Sequence, residues 1–246
     1  MLGSNSITGW PPGPAPRQSV VEIMAFLALH PNQRFTAEQL QTGLSIGRPR
    51  DLSADSIRRY MNEPRRHIGE HHVPEIKAGE GYWLRDVTSD AAQMADLFER
   101  ARAQSSGADR ARLLADGLAL VRGAPFAEVP SGTYGWADTD TDLAPAMDRQ
   151  IRQAAIKLGR LALDANDRDL ADWAAERGLR VWPTDDDLLE LQLSAARLEG
   201  VPELDVAWTH ANRHLERHGT TPTDRLRAAY HRLREEGLPT NQQQPG

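Results

Sequence analysis

Arg58, Arg59, Arg65 and Arg66 fall within nine residues, with Asn62 between them and with Arg48 and Arg50 a short way upstream. A guanidinium can grip a guanine edge with two parallel hydrogen bonds or clamp a phosphate, and a carboxamide can do the same for adenine. Such a set breaks no bonds; its chemistry is the binding of a polyanion. Lys77, on a later segment, can reach a groove or a phosphate in the same way. The same residues also serve as an ordinary solvated face, the commoner use of clustered charge. Glu63 and Glu70 beside them offer internal ion pairs.

Other candidate chemistry is sparse. His210, His214 and His218 recur at i, i+4 and i+8, a spacing that can hold a metal, but no carboxylate stands at a recognised ligand spacing from them. His67, His71 and His72 can add positive charge below about pH 6.5. Asp138-Thr139-Asp140-Thr141-Asp142 begins like a calcium loop, then has Leu143 where glycine is needed and Arg149 where a bidentate glutamate is needed. Gly79-Glu80-Gly81 is too short to cradle phosphate and reads as a hairpin turn. There is no nucleophile elbow, Walker loop or zinc-protease motif. The reading is of a non-enzyme with no catalytic residues, no metal and no cofactor. Trp173, Trp182 and Trp208 read as core aromatics.

The elements that would position the arginines follow from apolar spacing. Val20, Val21, Met24, Leu27 and Ala28 give a first helix ending near His30-Pro31. Thr36-Ala37-Glu38-Gln39 is a capping box that starts a second, with Leu40 and Leu44 on its buried side. A third helix spans roughly Ala54 to Gly69 and carries the arginines. Pro64 lies inside it, predicting a kink or an early end, because proline lacks the N–H and crowds the preceding turn. Pro74 to Lys77 and Tyr82 to Leu84 read as two strands of a hairpin. Ahead of all this, Gly9 to Pro16 is a proline-rich connector.

From Ser89 on, the period is helical. Helices are expected near 90–105, 109–121, 143–164, 168–181, 185–199, 203–218 and 223–236, with Arg122 to Asp142 as a long irregular connection. Thr184 to Asp187 reads as a second capping box. Leu163 and Trp173 are matched 35 residues later by Leu198 and Trp208. That offset suggests tetratricopeptide-like helix pairs.

Composition sets limits on this reading. The net charge is −6, but residues 1–90 hold 10 Lys and Arg against 10 Asp and Glu. A neutral N-terminal part has no bulk positive field, so DNA contact there must come from a local patch and must be salt-sensitive. No cysteine is present, which rules out disulfides and thiolate zinc sites and suits a cytoplasmic location. No run of about 18 apolar residues exists to span a bilayer, and no signal peptide is visible at the N-terminus.

With these residues in place, the chain resembles the actinobacterial SARP-type regulators. These join an OmpR-like winged helix to a bacterial transcriptional activator domain built of tetratricopeptide-like helices. Gly81-Tyr82-Trp83-Leu84 is similar to the family's wing-closing phrase, and Leu120-Val121-Arg122-Gly123-Ala124-Pro125-Phe126 to the phrase before its long connection. Arg65, Arg66, Ile68 and Gly69 match the end of its basic helix, with Pro64 where leucine is expected. Ile7 to Pro12 and Ala25 to Pro31 look closer to a subgroup in which this module is the cytosolic end of a membrane-anchored protein, some members carrying LysM modules.

The resemblance implies a mainly α fold, with a winged helix-turn-helix over 1–88 and a tetratricopeptide-like activator domain over 89–246. It implies duplex DNA as one partner and a protein as the other, either a second copy or RNA polymerase. The alternative is a protein-interaction module that does not bind DNA.

Overall fold

The computed structural model describes residues 1–3, 6–46, 52–77, 80–129, 133–139 and 142–236. Within them the protein is mainly helical, with eleven helices and two isolated β-bridges. It divides into two compact units, Met1–Leu97 with Leu120–Arg149, and Phe98–Ala119 with Gln150–Gly246. Both are discontinuous in sequence, whereas the sequence reading sets one cut after residue 88.

The first unit is built on α1 (Gln18–Leu29), whose residues from Val20 to Ala28 are all buried. A helix apolar on every side belongs at the centre of a core. One charged residue lies in that run. Glu22 is fully buried, and its Oε1 accepts from the Tyr134 backbone N–H at 2.9 Å and the Trp136 indole N–H at 3.3 Å. Trp136 sits on α6 (Gly135–Thr139), a helix too short to show a period in the sequence, inside the stretch expected to be irregular. Its ring packs edge-on against Phe26 of α1.

Next come α2 (Ala37–Leu44) and α3 (Ala54–Ile68). The predicted capping box of α2 is present: Thr36 Oγ1 accepts from Gln39 N–H, and Gln39 Oε1 accepts from Thr36 N–H. The early end expected at Pro64 is not met, since α3 runs on to Ile68. Ile57, Met61 and Pro64 are its buried residues. Spaced i, i+4 and i+7, they form one stripe, so the pyrrolidine ring supplies an apolar surface where a leucine would.

The expected hairpin differs too. Tyr82 pairs with Phe35, exchanging N–H···O bonds of 3.0 and 2.6 Å, and not with the stretch from Pro74 to Lys77. The turn residue Gly79 lies outside the described residues. Gly81 explains the closeness: a Cβ there would stand 2.6 Å from the Phe35 nitrogen. Leu2 is fully buried and bridges to Pro125. Two helices, α4 (Asp90–Ala103) and α7 (Leu143–Asp164), begin in this unit.

The second unit holds α5 (Gly107–Ala119), α8 (Arg168–Leu179), α9 (Asp186–Arg197), α10 (Val201–Arg217) and α11 (Asp224–Glu235). α9 packs against α8, α10 and α11. Two helical glycines allow it in. A Cβ at Gly159 would fall 2.1 Å from Leu191, and one at Gly178 would fall 2.7 Å from Leu188. Glycine inside a helix costs roughly 0.5–1 kcal/mol relative to alanine, and here close packing offsets it.

The predicted repeat holds in part. Trp173 and Trp208 occupy α8 and α10, and Trp208 stacks on Tyr230 at 4.7 Å. Leu163 packs on the Ala162, Ala171 and Ala195 cluster, but its counterpart Leu198 is 42 % exposed. Trp182 is 39 % exposed and is not a core aromatic. Preceding Pro183 in the turn between α8 and α9, it has no helix face to bury on. The cap of α9 is Asp185, accepting from Leu188 N–H, one residue later than expected.

An ionic cluster ties α7, α9 and α11. Arg152 binds Asp185 at 2.6 Å and Asp187 at 2.5 Å, and Asp187 also receives Arg225. Partial burial pushes the Asp187 carboxyl up, but hydrogen bonds from Arg225 and Arg152 outweigh it and hold it below the usual carboxylate range. A lowered carboxyl contributes stability that is fully present above its unfolded value of about 3.9 and is lost as pH falls through the folded value. Acid should therefore weaken this unit over that window. In Asp187→Asn the melting temperature should start lower at pH 7 and fall less between pH 5 and pH 2 than in the parent. Parallel pH curves for the two proteins would show that the cluster contributes nothing.

Candidate nucleic-acid interface

With Ile57, Met61 and Pro64 turned inward, α3 shows Arg58, Arg59, Asn62 and Arg66 to solvent. Ser53 caps its first turn, accepting from Ser56 N–H at 3.2 Å. The arginines are not equivalent. Arg58 holds Asp55 at 2.6 Å and Glu38 at 2.9 Å. All three side chains are mostly exposed, and an exposed pair is worth about 0–1 kcal/mol. A phosphate can displace such partners.

Arg65 is fixed more firmly. Its Nε and one terminal nitrogen donate to the carbonyls of Val73 and Pro74 at 3.1 and 3.0 Å, and the other donates to Asn62 Oδ1 at 2.9 Å. Stranding part-buried carbonyls costs about 1–3 kcal/mol each. Arg65 therefore anchors the chain after α3. This also accounts for the missing strand from Pro74 to Lys77: one of its carbonyls is taken, and proline has no N–H to give.

Among the described residues, Arg59 and Arg66 have no carboxylate within ion-pair distance. Together with Asn62 and His67 they line a shallow depression of about 220 Å³. Arg17 shares it, reaching Glu63 at 3.6 Å and lying over the Tyr60 ring. The proline-rich segment thus touches this face, and Trp10 packs on His67 at 4.7 Å. Sequence reasoning treated that segment as a surface connector and missed both contacts; only the aromatic and basic residues bracketing the prolines hinted at them.

Of the remaining predicted contacts, Lys77 is exposed, and Arg48 and Arg50 lie outside the described residues. Arg34 and Arg85, not singled out in the sequence, flank Trp83 with guanidinium carbons 5.1 and 5.0 Å from the ring. His71 binds Asp86 at 2.8 Å. His214 is drawn to the Pro183 carbonyl at 2.7 Å, and no metal-binding cluster forms among the described residues. Arg149 closes on Asp142 at 2.7 Å, at the end of the calcium-like stretch. No helix is long and apolar enough to cross a membrane among the described residues.

Because α3 is already continuous, Pro64→Leu should not rebuild its exposed face. It should restore an N–H to the Tyr60 carbonyl and raise stability by about 1–3 kcal/mol, while leaving DNA affinity within about threefold. A large gain in DNA affinity measured by anisotropy would mean that the proline distorts the face after all.

No protein-family model matches the sequence, and no curated protein matches it. Among solved structures it is similar to EmbR of Mycobacterium tuberculosis, determined in complex with a low-affinity phosphopeptide. The TM-score is 0.59 at 18 % identity, over 92 % of this chain. The chain spans 62 % of the length of that structure. The likeness shows a shared, mainly helical fold.

Proposed function

We propose that this chain, sharing its fold with EmbR, is a transcription-regulator-like protein. The N-terminal helix-turn-helix part binds duplex DNA through the exposed face of α3, and the helical-repeat part binds a protein. The observation that carries the reading is the pair Arg59 and Arg66. These cations stand on the solvent face of a helix that follows α2 in helix-turn-helix order, with Asn62 between them and, among the described residues, no carboxylate within ion-pair distance. Arg58 joins them once its exposed partners are displaced; Lys77, Arg34 and Arg85 supply phosphate contacts. Arg65 holds the scaffold.

A second reading has its own support. Trp10 and Arg17 already occupy part of the α3 face. In that reading the chain is a protein-interaction module, at the cytosolic end of a membrane-anchored protein, and does not bind DNA. Retention on a pool of random duplex DNA separates the two. Enrichment of a motif at physiological salt supports the regulator; no retention even at 50 mM salt removes it.

A further inference from the structure

The second unit carries a groove between α8 and α10, floored by α9, with a volume of about 990 Å³. Its charge is uneven. Of the carboxylates lining it, Glu176 pairs with Arg180 at 3.3 Å, Glu199 with Arg168 at 2.7 Å, and Asp172 accepts from Gln192 at 3.2 Å, while Glu203 stands in the first turn of α10, at the other end of that helix from Arg213 and Arg217. Along the C-terminal half of α10, Arg213 and Arg217 line the same groove, and no carboxylate among the described residues lies within ion-pair distance of either. His210 and His218 stand beside them. Cations suit a helix C-terminus by its dipole alone. That does not explain the apolar end of the groove, where Val206 is 55 % exposed on the same helix, next to Ala207.

We infer that this groove docks an extended protein segment that offers a branched apolar side chain followed by acidic residues. The spacing follows from the helix. Val206 and Arg213 are separated by about 10 Å along α10, and Arg213 and Arg217 by about 6 Å, at about 1.5 Å per residue. An extended strand rises about 3.3 Å per residue. A segment running along α10 therefore places its first acid about three residues after the apolar side chain and its second about two residues later. The pattern is Leu-x-x-Asp-x-Asp. Val206 gives the apolar side chain a dry surface, and Arg213 and Arg217 give the carboxylates charge-assisted hydrogen bonds. This names the chemistry of the protein partner in the function proposed above, and rests on that half of it alone.

The test uses the full chain and a fluorescein-labelled peptide, Gly-Ser-Leu-Ser-Ser-Asp-Ser-Asp-Ser-Gly, read by anisotropy at 50 mM salt. The peptide should bind at least tenfold more tightly than its Asp→Lys counterpart. Arg213→Glu with Arg217→Glu should weaken it at least tenfold, and Val206→Ser at least threefold, with melting curves confirming that each variant is folded. Equal binding of the acidic and lysine peptides, or indifference to the arginine reversals, would overturn the proposal. Displacement of the peptide by a 20-base-pair duplex competing for Arg213 and Arg217 would overturn it too, by making the groove a nucleic-acid surface. The same variants should keep the parent's retention on random duplex DNA, so failure of the groove and failure of the α3 reading appear in different assays.

Discussion

Glu22→Leu is expected to lower the melting temperature by about 10 °C. The change leaves the Tyr134 N–H and the Trp136 indole N–H without their acceptor at a site where Glu22 and Trp136 are at most 1 % exposed. Each stranded buried donor costs about 1–3 kcal/mol, giving about 2–6 kcal/mol for the two. In a chain of this size 1 kcal/mol shifts the midpoint by about 2–4 °C. Removing the buried carboxylate recovers part of its desolvation cost, which holds the estimate to the lower part of the range. Glu22→Gln keeps an oxygen acceptor and should lose much less. Calorimetry with near-ultraviolet circular dichroism reports both the midpoint and the packing of Trp136. A Leu variant melting within 2 °C of the parent would mean that the buried carboxylate does not hold residues 134–136.

Arg59→Glu combined with Arg66→Glu should weaken duplex DNA binding about a hundredfold or more at 100 mM salt. Losing a base or phosphate contact costs about 1–3 kcal/mol, and reversal adds repulsion from the phosphates. The dependence of affinity on salt should flatten by about two phosphates' worth, near 0.9 in slope for each. Arg58→Ala should cost less, because Arg58 must first give up Asp55 and Glu38. An unchanged salt slope in the double variant would place the DNA contact elsewhere.

Much of the architecture is legible in the residues because helices write their own period. Ile57 and Met61, Leu188 and Leu189, and the Thr36 capping box all predict what they do. The pieces that escape are those held by long-range contacts. α6 is a five-residue helix fixed by Glu22, more than a hundred residues away in sequence. Tyr82 has a turn-and-strand signal toward residues 74–77, yet pairs with Phe35, because Arg65 takes the carbonyls of Val73 and Pro74. The candidate site was half legible. The arginine cluster could be seen, but which members are free for a ligand depends on partners such as Glu38 and Val73 that no local pattern reveals. Pro64 misleads for a similar reason: its intrinsic helix penalty is visible, whereas the buried stripe that accepts it is a property of the packed unit.

The bond from Trp136 to Glu22 has an evolutionary corollary. An acceptor at position 22 and an indole at position 136 can each change only at the other's expense: losing the carboxylate strands a donor, and losing the indole leaves a buried charge with one partner fewer. Related chains should therefore change the two positions together, with an apolar residue at 22 accompanied by phenylalanine or leucine at 136. An alignment in which they vary independently would show that other groups can take over the bond.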